Sequence, residues 1–269
     1  MELEDIIKNE YIKNITDILT NIGEGIEGNL LCDISPENWC HTYPKSLAKI
    51  KNLQTMCKDK QKIIEIGVNA CHSLMIMLLE NPTAEYLLFD LNNHAYTVPT
   101  INYVKENFPN TKINIFFGNS IQTITEYIEE HPEEIGTYDL CHLDGGNSEH
   151  VFSFDYNNVK RLIKKDAFVV FNNYDYYEIH YFIDRKVGLN EIKEVTENMI
   201  PTDRHFIYQY VYPGEETVAN EDTVANEETV ANEETGANEE TVANEETGAN
   251  EETGANEETG ANEETGANE

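Results

Sequence analysis

Positive charge is scarce in this sequence. Its 269 residues hold 18 Lys and Arg against 51 Asp and Glu, a formal net charge of −33 at pH 7. Binding a nucleic-acid backbone takes clustered cations that neutralise phosphates. Only short basic runs occur, such as Lys58-Asp59-Lys60 and Lys160-Arg161. The same shortage argues against docking on anionic membranes. Long apolar runs are missing too. The longest strongly apolar stretch, Leu74 to Leu79, is far short of the roughly 20 residues that cross a bilayer. The opening Met1-Glu2-Leu3-Glu4-Asp5 is acidic and lacks the basic-then-apolar pattern of a secretory signal. The cysteines offer no paired framework: Cys32, Cys40, Cys57, Cys71 and Cys141 are odd in number and spread out, with no CxxC. They read as free thiols in a reducing compartment. The expectation is a cytoplasmic protein with neither nucleic acid nor membrane as partner.

The charge is unevenly placed. Residues 215–268 are nine copies of a six-residue unit, Glu-Glu-Thr-(Val/Gly)-Ala-Asn, with Asp222 as the one acidic exchange and Glu269 following. With two acids per copy the repeats and Glu269 carry 9 × 2 + 1 = 19 negative charges, leaving −33 + 19 = −14 on the preceding 214 residues. The repeat has no aromatic residue, no Ile and no Leu. Such a segment cannot bury enough apolar surface to offset its ordering entropy, and residues 213–269 read as a disordered acidic tail. The preceding part is long enough for one medium domain with a proper core.

Within it, residues 4–21 read as an amphipathic helix, with Ile6, Ile7, Tyr11, Ile15, Ile18 and Leu19 at helical spacing. Gly23, Gly25 and Gly28 break it, and residues 29–45 look irregular around Pro36, Trp39 and Pro44. Residues 1–44 are thus expected to be an N-terminal extension, with the main domain over 45–212. A second helix is expected over 45–58, with Leu47, Ile50, Leu53 and Met56 on one face. Then short apolar runs alternate with helical segments. The runs are Lys62–Ile66, Tyr86–Asp90, Lys112–Phe117, Tyr138–Leu143 and Ala167–Phe171; helices are expected near 72–80, 98–108, 120–131 and 151–164. That alternation predicts an α/β fold: a Rossmann-like, mostly parallel sheet with helices on both faces. Glu191–Thr196 and His205–Tyr212, separated by a turn with Pro201, fit a closing antiparallel hairpin.

The sharpest local signal is Ile63-Ile64-Glu65-Ile66-Gly67-Val68-Asn69-Ala70-Cys71-His72-Ser73 read with Asp90. A buried strand runs into a tight turn and a helix, and an acid ends the next strand. Gly67 and Asp90 lie 23 residues apart, close to the spacing of about 20 in units that bind an adenosine-type cofactor. A glycine lets backbone approach the ligand. A carboxylate with two acceptor oxygens suits paired ribose hydroxyls.

Five motifs in order resemble the class I methyltransferases that use S-adenosylmethionine, in particular a small-molecule and sugar O-methyltransferase-like group. The likeness covers roughly residues 45–212. The first motif is Glu65 to Ser73, which departs from the family's Glu-Ile-Gly-Val-x-x-Gly-His-Ser only at Cys71. Leu88-Phe89-Asp90 is the second, and Phe117-Gly118-Asn119-Ser120 is the third, where the family has Gly-Asp-Ser. The fourth runs from Asp139 through Leu143-Asp144-Gly145-Gly146-Asn147-Ser148, and the fifth is Val169 to Tyr174, with Asn172-Asn173 where the family often has Asp-Asp.

The resemblance implies a class I methyltransferase fold and S-adenosylmethionine as cofactor. It places Glu65, Gly67, Asn69, His72, Ser73, Asp90, Asn119, Ser120 and Asp144 around that cofactor. Asp90 would take the ribose hydroxyls and Asn119 would meet the adenine edge. Methyl transfer to an oxygen needs a group that removes the acceptor proton; Asp144 and His150, on the following helix, are the candidates. Where relatives hold a divalent metal, the matching positions are Asp144, Asn172 and Asn173, with Asp175 two residues on. One carboxylate and two amides make a poor set for Mg²⁺, which Asp175 could compensate, so Mg²⁺ as a second cofactor stays open.

Plainer readings stand beside these. Asp144 could cap a helix or hold the Gly-Gly turn. His142 could be a core histidine, and His72 a helix-terminal polar residue. Tyr174, Tyr176, Tyr177, Tyr181 and Phe182, at near-helical spacing, could line an acceptor pocket or simply pack the core. Trp39 could belong to a lid or anchor the N-terminal region. Two further readings of the whole chain remain: a methyltransferase fold turned non-catalytic scaffold, and an acidic display tail carried by a folded head. The expected partner is a small-molecule acceptor, with homo-oligomerisation open.

Overall fold

The computed structural model describes residue 5 and residues 8–25, 44–172, 177–202 and 205–211. The chain divides into two units, Met1–Val218 and Ala219–Glu269, and all described residues belong to the first. The acidic repeat, Trp39, Asn173, Tyr174, Asp175 and Tyr176 lie outside them.

Helix α1 is Glu10–Ile22. Asn9 caps it, its side chain accepting from the Tyr11 amide at 3.0 Å, and Gly23 ends it in the left-handed conformation at φ 73°. Ile12, Ile15 and Leu19 form its buried stripe. Helix α2 is Pro44–Cys57 and buries Ile50, Leu53 and Met56. Strands and helices then alternate: β1 Lys62–Ile66, α3 His72–Glu80, β2 Glu85–Asp90, α4 Thr97–Asn107, β3 Ile113–Phe117, α5 Ser120–Glu130, β4 Tyr138–Leu143, α6 Glu149–Leu162, β5 Ile163–Asn172 and α7 Tyr177–Gly188. Strands β6 Ile192–Glu194 and β7 His205–Tyr210 close the described chain.

The seven strands form one sheet in the order β3-β2-β1-β4-β5-β7-β6. All pairings among β1 to β5 are parallel, and β7 is antiparallel to both β5 and β6. Chain order reverses between β1 and β4, which makes that gap the switch point where ligands of open α/β sheets bind. Period-two alternation sends side chains to opposite faces. Ile63 faces a core shared with α1 to α4, whereas Ile64 and Ile66 face the one shared with α5, α6 and α7. Buried on both faces, β1, β2 and β4 read as near-continuous apolar runs, as central parallel strands do.

Two elements differ from the sequence reading. Strand β5 starts at Ile163, directly after α6, because the pairing with β4 shifts register between Tyr138 and Leu140 and takes in the charged Lys164-Lys165-Asp166 segment. The described part of the aromatic stretch after β5 belongs to helix α7, with Ile179, Phe182, Ile183 and Lys186 inside. Tyr177 and Tyr181 are 82% and 57% exposed. They therefore do not line an interior pocket, while Phe182 packs against Phe152 and Tyr156. Among the described residues no helix is long and apolar enough to cross a membrane.

Candidate functional site

A cavity of about 590 Å³ opens at the carboxyl ends of the strands, over the switch point. Its floor is set by backbone bonds that carry the ladders past the strand ends. Gly67 N donates to Phe89 O, Asp144 N to Ile66 O and Gly118 N to Asp90 O, each at 2.9 Å. Gly67 sits at φ 85°, and a Cβ built there would meet the Asp144 carbonyl oxygen at 2.1 Å. The glycine is thus demanded first by the β4 backbone crossing beside it, and its own backbone faces the cavity as well.

The loop after Gly67 is tightly wound. Asn69 and Cys71 both have positive φ, 50° and 63°. In the left-handed region a side chain is strained by roughly 1 kcal/mol, which glycine avoids. Cys71 keeps its side chain out of the cavity: it is fully buried in the core, with Sγ 3.4 Å from Thr100 Oγ1. Burial pushes its thiol well up. The one departure in the first motif therefore costs local strain and leaves the cavity clear.

Asp90, at the end of β2, is the best-placed acid in the cavity. Its Oδ2 accepts from the Asn69 amide at 2.8 Å and its Oδ1 from the Asn92 amide at 2.7 Å. Two backbone donors fix the carboxylate plane. About four lone-pair positions exist on a carboxylate, so each oxygen keeps acceptor capacity toward the cavity. Asn119 caps α5, its Oδ1 accepting from Ile121 N at 3.1 Å, and Ser120 follows it into the lining. Behind Ser120 lies Asp155 of α6, only 2% exposed, whose carboxyl is pushed up to about 6 by burial against a hydrogen bond from Ser120.

His72 and Ser73 start α3 and also line the cavity. His72 is buried and neither ring nitrogen has a partner among the described residues. Burial pulls its imidazole down to about 4, so it is neutral at physiological pH. Ser73 Oγ donates to Glu65 Oε1, which also meets His142 Nδ1 at 2.9 Å. His142 Nε2 lies 3.3 Å from His205 Nε2. Burial lowers His205 well below its ordinary value, and the charges of His142 and Lys49 add to that. Glu65 itself is fully buried and absent from the cavity wall. Its role here is to hold Ser73 and His142 from beneath.

The fourth edge joins three elements. Asn172 Nδ2, from the end of β5, donates to Asp144 Oδ1, and Lys49 Nζ, from α2, donates to Asn172 Oδ1. Lys49, Asp144 and Asn172 all line the cavity. Beside the lining residue His94, Glu24 accepts from the Ala95 amide at 2.7 Å and pairs with His94 Nδ1 at 2.8 Å, which holds its carboxyl below the usual range.

Of the expected site residues, the structure brings together Gly67, Asn69, His72, Ser73, Asp90, Asn119, Ser120, Asp144 and Asn172. Glu65 lies below them. Asn173 is outside the described residues. His150 is a correction: it is exposed on α6, its ring stacked edgewise on Phe154, and it does not reach the cavity. The buried face of α6 carries Phe152, Asp155, Tyr156 and Val159, and His150 falls on the other side. Lys49, Glu24 and His205 were not legible. Lys49 joins the lining from an element distant in sequence, while Glu24 and His205 stand behind it on His94 and Asn172, none with a local motif around it.

A family model described as O-methyltransferase matches residues 44–180, which is 137 of 269 residues. The strand order and the strand-end cavity define a class I methyltransferase fold. The chain belongs to the O-methyltransferase family. Among solved structures it is similar to the O-methyltransferase TomG from Streptomyces achromogenes, involved in tomaymycin synthesis and solved with SAM. The identity is 12% and the TM-score 0.54, over 76% of this chain and 90% of that one. It is also similar to an O-methyltransferase from Bacillus cereus in complex with SAH, at 13% identity and a TM-score of 0.52, over 74% and 90% of the two chains. At such identities the likeness is one of fold. No curated protein matches the chain.

Proposed function

We propose that this chain is an S-adenosylmethionine-dependent methyltransferase that acts on a hydroxyl oxygen of a small molecule or sugar. The observation that carries the reading is Asp90: a carboxylate oriented by two backbone amides, with acceptor capacity left over, at the mouth of the switch point. The rest of the wall fits the same ligand. The volume of about 590 Å³ falls within the roughly 300–1,000 Å³ of small-molecule sites. The unpartnered His72 nitrogens offer one donor and one acceptor from a neutral ring. Asn119 and Ser120 supply polar atoms at the edge where an adenine would lie. The two solved neighbours with SAM and SAH support the choice of cofactor.

When bound, S-adenosylmethionine supplies an electrophilic methyl group on a sulfonium. The protein's part is positional. Asp90, Asn119 and Ser120 would hold the adenosine end. The tight turn from Gly67 to Cys71 would present backbone to the other end. Asp144, braced by Asn172, faces the cavity from the end of β4. Its carboxylate would take the acceptor proton, and the enclosing walls would fix the acceptor in line with the transferred group. A scaffold that has lost activity is the second reading, favoured by the Asn172 amide where relatives often carry an acid.

Incubating the full chain with methyl-labelled S-adenosylmethionine and panels of phenols, hydroxy acids and sugars separates the two. Label on an acceptor oxygen, lost in Asp144→Asn, is the expected outcome. Tight cofactor binding with no transfer to any panel member would favour the scaffold.

A further inference from the structure

The positions matched to a divalent-metal site are Asp144, Asn172 and Asn173. Mg²⁺ prefers six oxygen ligands in near-octahedral geometry. Only one of the two described positions is a carboxylate. Among the described residues, no three His, Cys, Asp or Glu side chains gather as a ligand set. More telling is how the two side chains are used. Asn172 turns its donor nitrogen to Asp144 and its oxygen to the Lys49 ammonium. A metal on these atoms would displace both bonds and stand beside a like charge. Among the described residues the donor set does not fit Mg²⁺.

We propose that Lys49 takes the place of a divalent cation here: its ammonium, held by Asn172 beside Asp144, is the positive charge that receives the acceptor oxygen, and no metal binds at this strand end. The proposal rests on the methyl-transfer reading. Lys49 lines the same cavity as Asp90 and Asp144. His205, register partner of Asn172, is buried and does not line the cavity. Compared with a hydrated Mg²⁺, an ammonium is a compact point charge with three donors. It stabilises a developing oxyanion by donating to it directly. In the transfer, the acceptor oxygen gains the methyl group and the carbon–sulfur bond breaks, its electron pair remaining on sulfur. The hydroxyl proton passes to Asp144 and then to water. Lys49 keeps its own proton and stabilises the charge on oxygen.

Two measurements on the full chain with excess S-adenosylhomocysteine test this. The first is Mn²⁺ binding, read by electron paramagnetic resonance of the free ion, in wild type, Asp144→Asn and Asn172→Ala. The acidic repeat gives the same background in all three. Unchanged isotherms are expected. Loss of one Mn²⁺ per chain in either variant would overturn the proposal. The second uses 4-nitrophenol, whose absorbance separates phenol from phenolate, in EDTA about one pH unit below the free probe's own ionisation. Wild type is expected to show a bound phenolate band. Lys49→Met should weaken it about tenfold or more, and Lys49→Arg should restore much of it. No band in wild type, or an equal band in Lys49→Met, would overturn the proposal. S-adenosylhomocysteine affinity is recorded alongside. If wild type fails to bind it, the methyl-transfer reading falls and takes the proposal with it; if binding holds while the band ignores Lys49, only the proposal falls.

Discussion

Gly67 and Asp144 are so close that a single methyl group between them is forbidden: a Cβ on Gly67 would sit 2.1 Å from the Asp144 carbonyl oxygen and 2.9 Å from Gly145 N. These are backbone atoms at the ends of β1 and β4, and they cannot swing aside as a side chain can. The switch point that forms the cavity depends on this approach.

Gly67→Ala should therefore destabilise the protein by about 2–4 kcal/mol, combining a positive φ with an overpacked contact. Denaturant unfolding followed by circular dichroism measures it. A loss of under about 0.5 kcal/mol, the range of ordinary surface changes, would mean the two strand ends are not held as described.

At Cys71 the usual ranking of small residues should invert. The position has φ 63° and a buried side chain. Alanine keeps the backbone strain and loses the sulfur contacts. Glycine gives up the Cβ contacts as well but relieves the strain, which is the larger effect at this φ. Cys71→Gly should be more stable than Cys71→Ala by about 1 kcal/mol. Thermal melts of the two variants decide it, and an alanine variant equal to or better than glycine would contradict the geometry.

Acid stability should reflect two opposed groups. Asp155 is raised to about 6, above its unfolded value, so its contribution is present at low pH and lost as pH rises through 6. His72 is lowered to about 4, so its contribution is present above its unfolded value near 6.5 and lost as pH falls through 4. Each amounts to about 3 kcal/mol in order of magnitude, with opposite slopes between pH 4 and 6. His205, lowered for the same reason as His72, adds to the histidine side. Removing Asp155 as Asn should steepen the loss of stability on acidification, and His72→Phe should flatten it. Unfolding free energies across pH 4–7 check both signs. An Asp155→Asn variant with the wild-type slope would show that this carboxyl is not held protonated by burial.

The described thiols should be inert. Cys57, Cys71 and Cys141 are all buried, and burial raises each thiol, Cys57 up to about 12. Alkylation at pH 8 with peptide mapping should leave all three unmodified in the folded protein and modify them in denaturant. Modification of Cys71 under native conditions would mean that the loop after β1 opens.

How far the sequence carries depends on where the information sits. The strands β1, β2 and β4 were legible because a doubly covered parallel strand must be apolar almost throughout, and Gly67 and Asp90 because their spacing is local. Helix α7 was legible only as a near-helical spacing of aromatic residues, since Tyr177 and Tyr181 point to solvent and blur the apolar stripe made by Ile179, Phe182 and Ile183. His150 was misplaced because distance along the chain from the Gly-Gly turn does not tell which side of α6 a residue faces. Glu65 looked like a ligand-facing acid, but strand alternation sends it to the Ile63 side, under Ser73 and beside its register partner His142. Lys49 reaches the lining, and His205 its place behind Asn172, only through helix packing and sheet order, which no local pattern encodes.

The most direct test of the central claim is calorimetric titration of the full chain with S-adenosylmethionine and S-adenosylhomocysteine, repeated on Asp90→Asn. Wild type is expected to bind both at micromolar Kd. Asp90→Asn exchanges an acceptor oxygen for a donor, leaving either a ribose hydroxyl or a loop amide unmatched, and affinity should fall about 100-fold or more, as the loss of one or two charge-assisted hydrogen bonds predicts. A folded wild type that binds neither compound, or an Asp90→Asn variant that binds as tightly as wild type, would contradict the account.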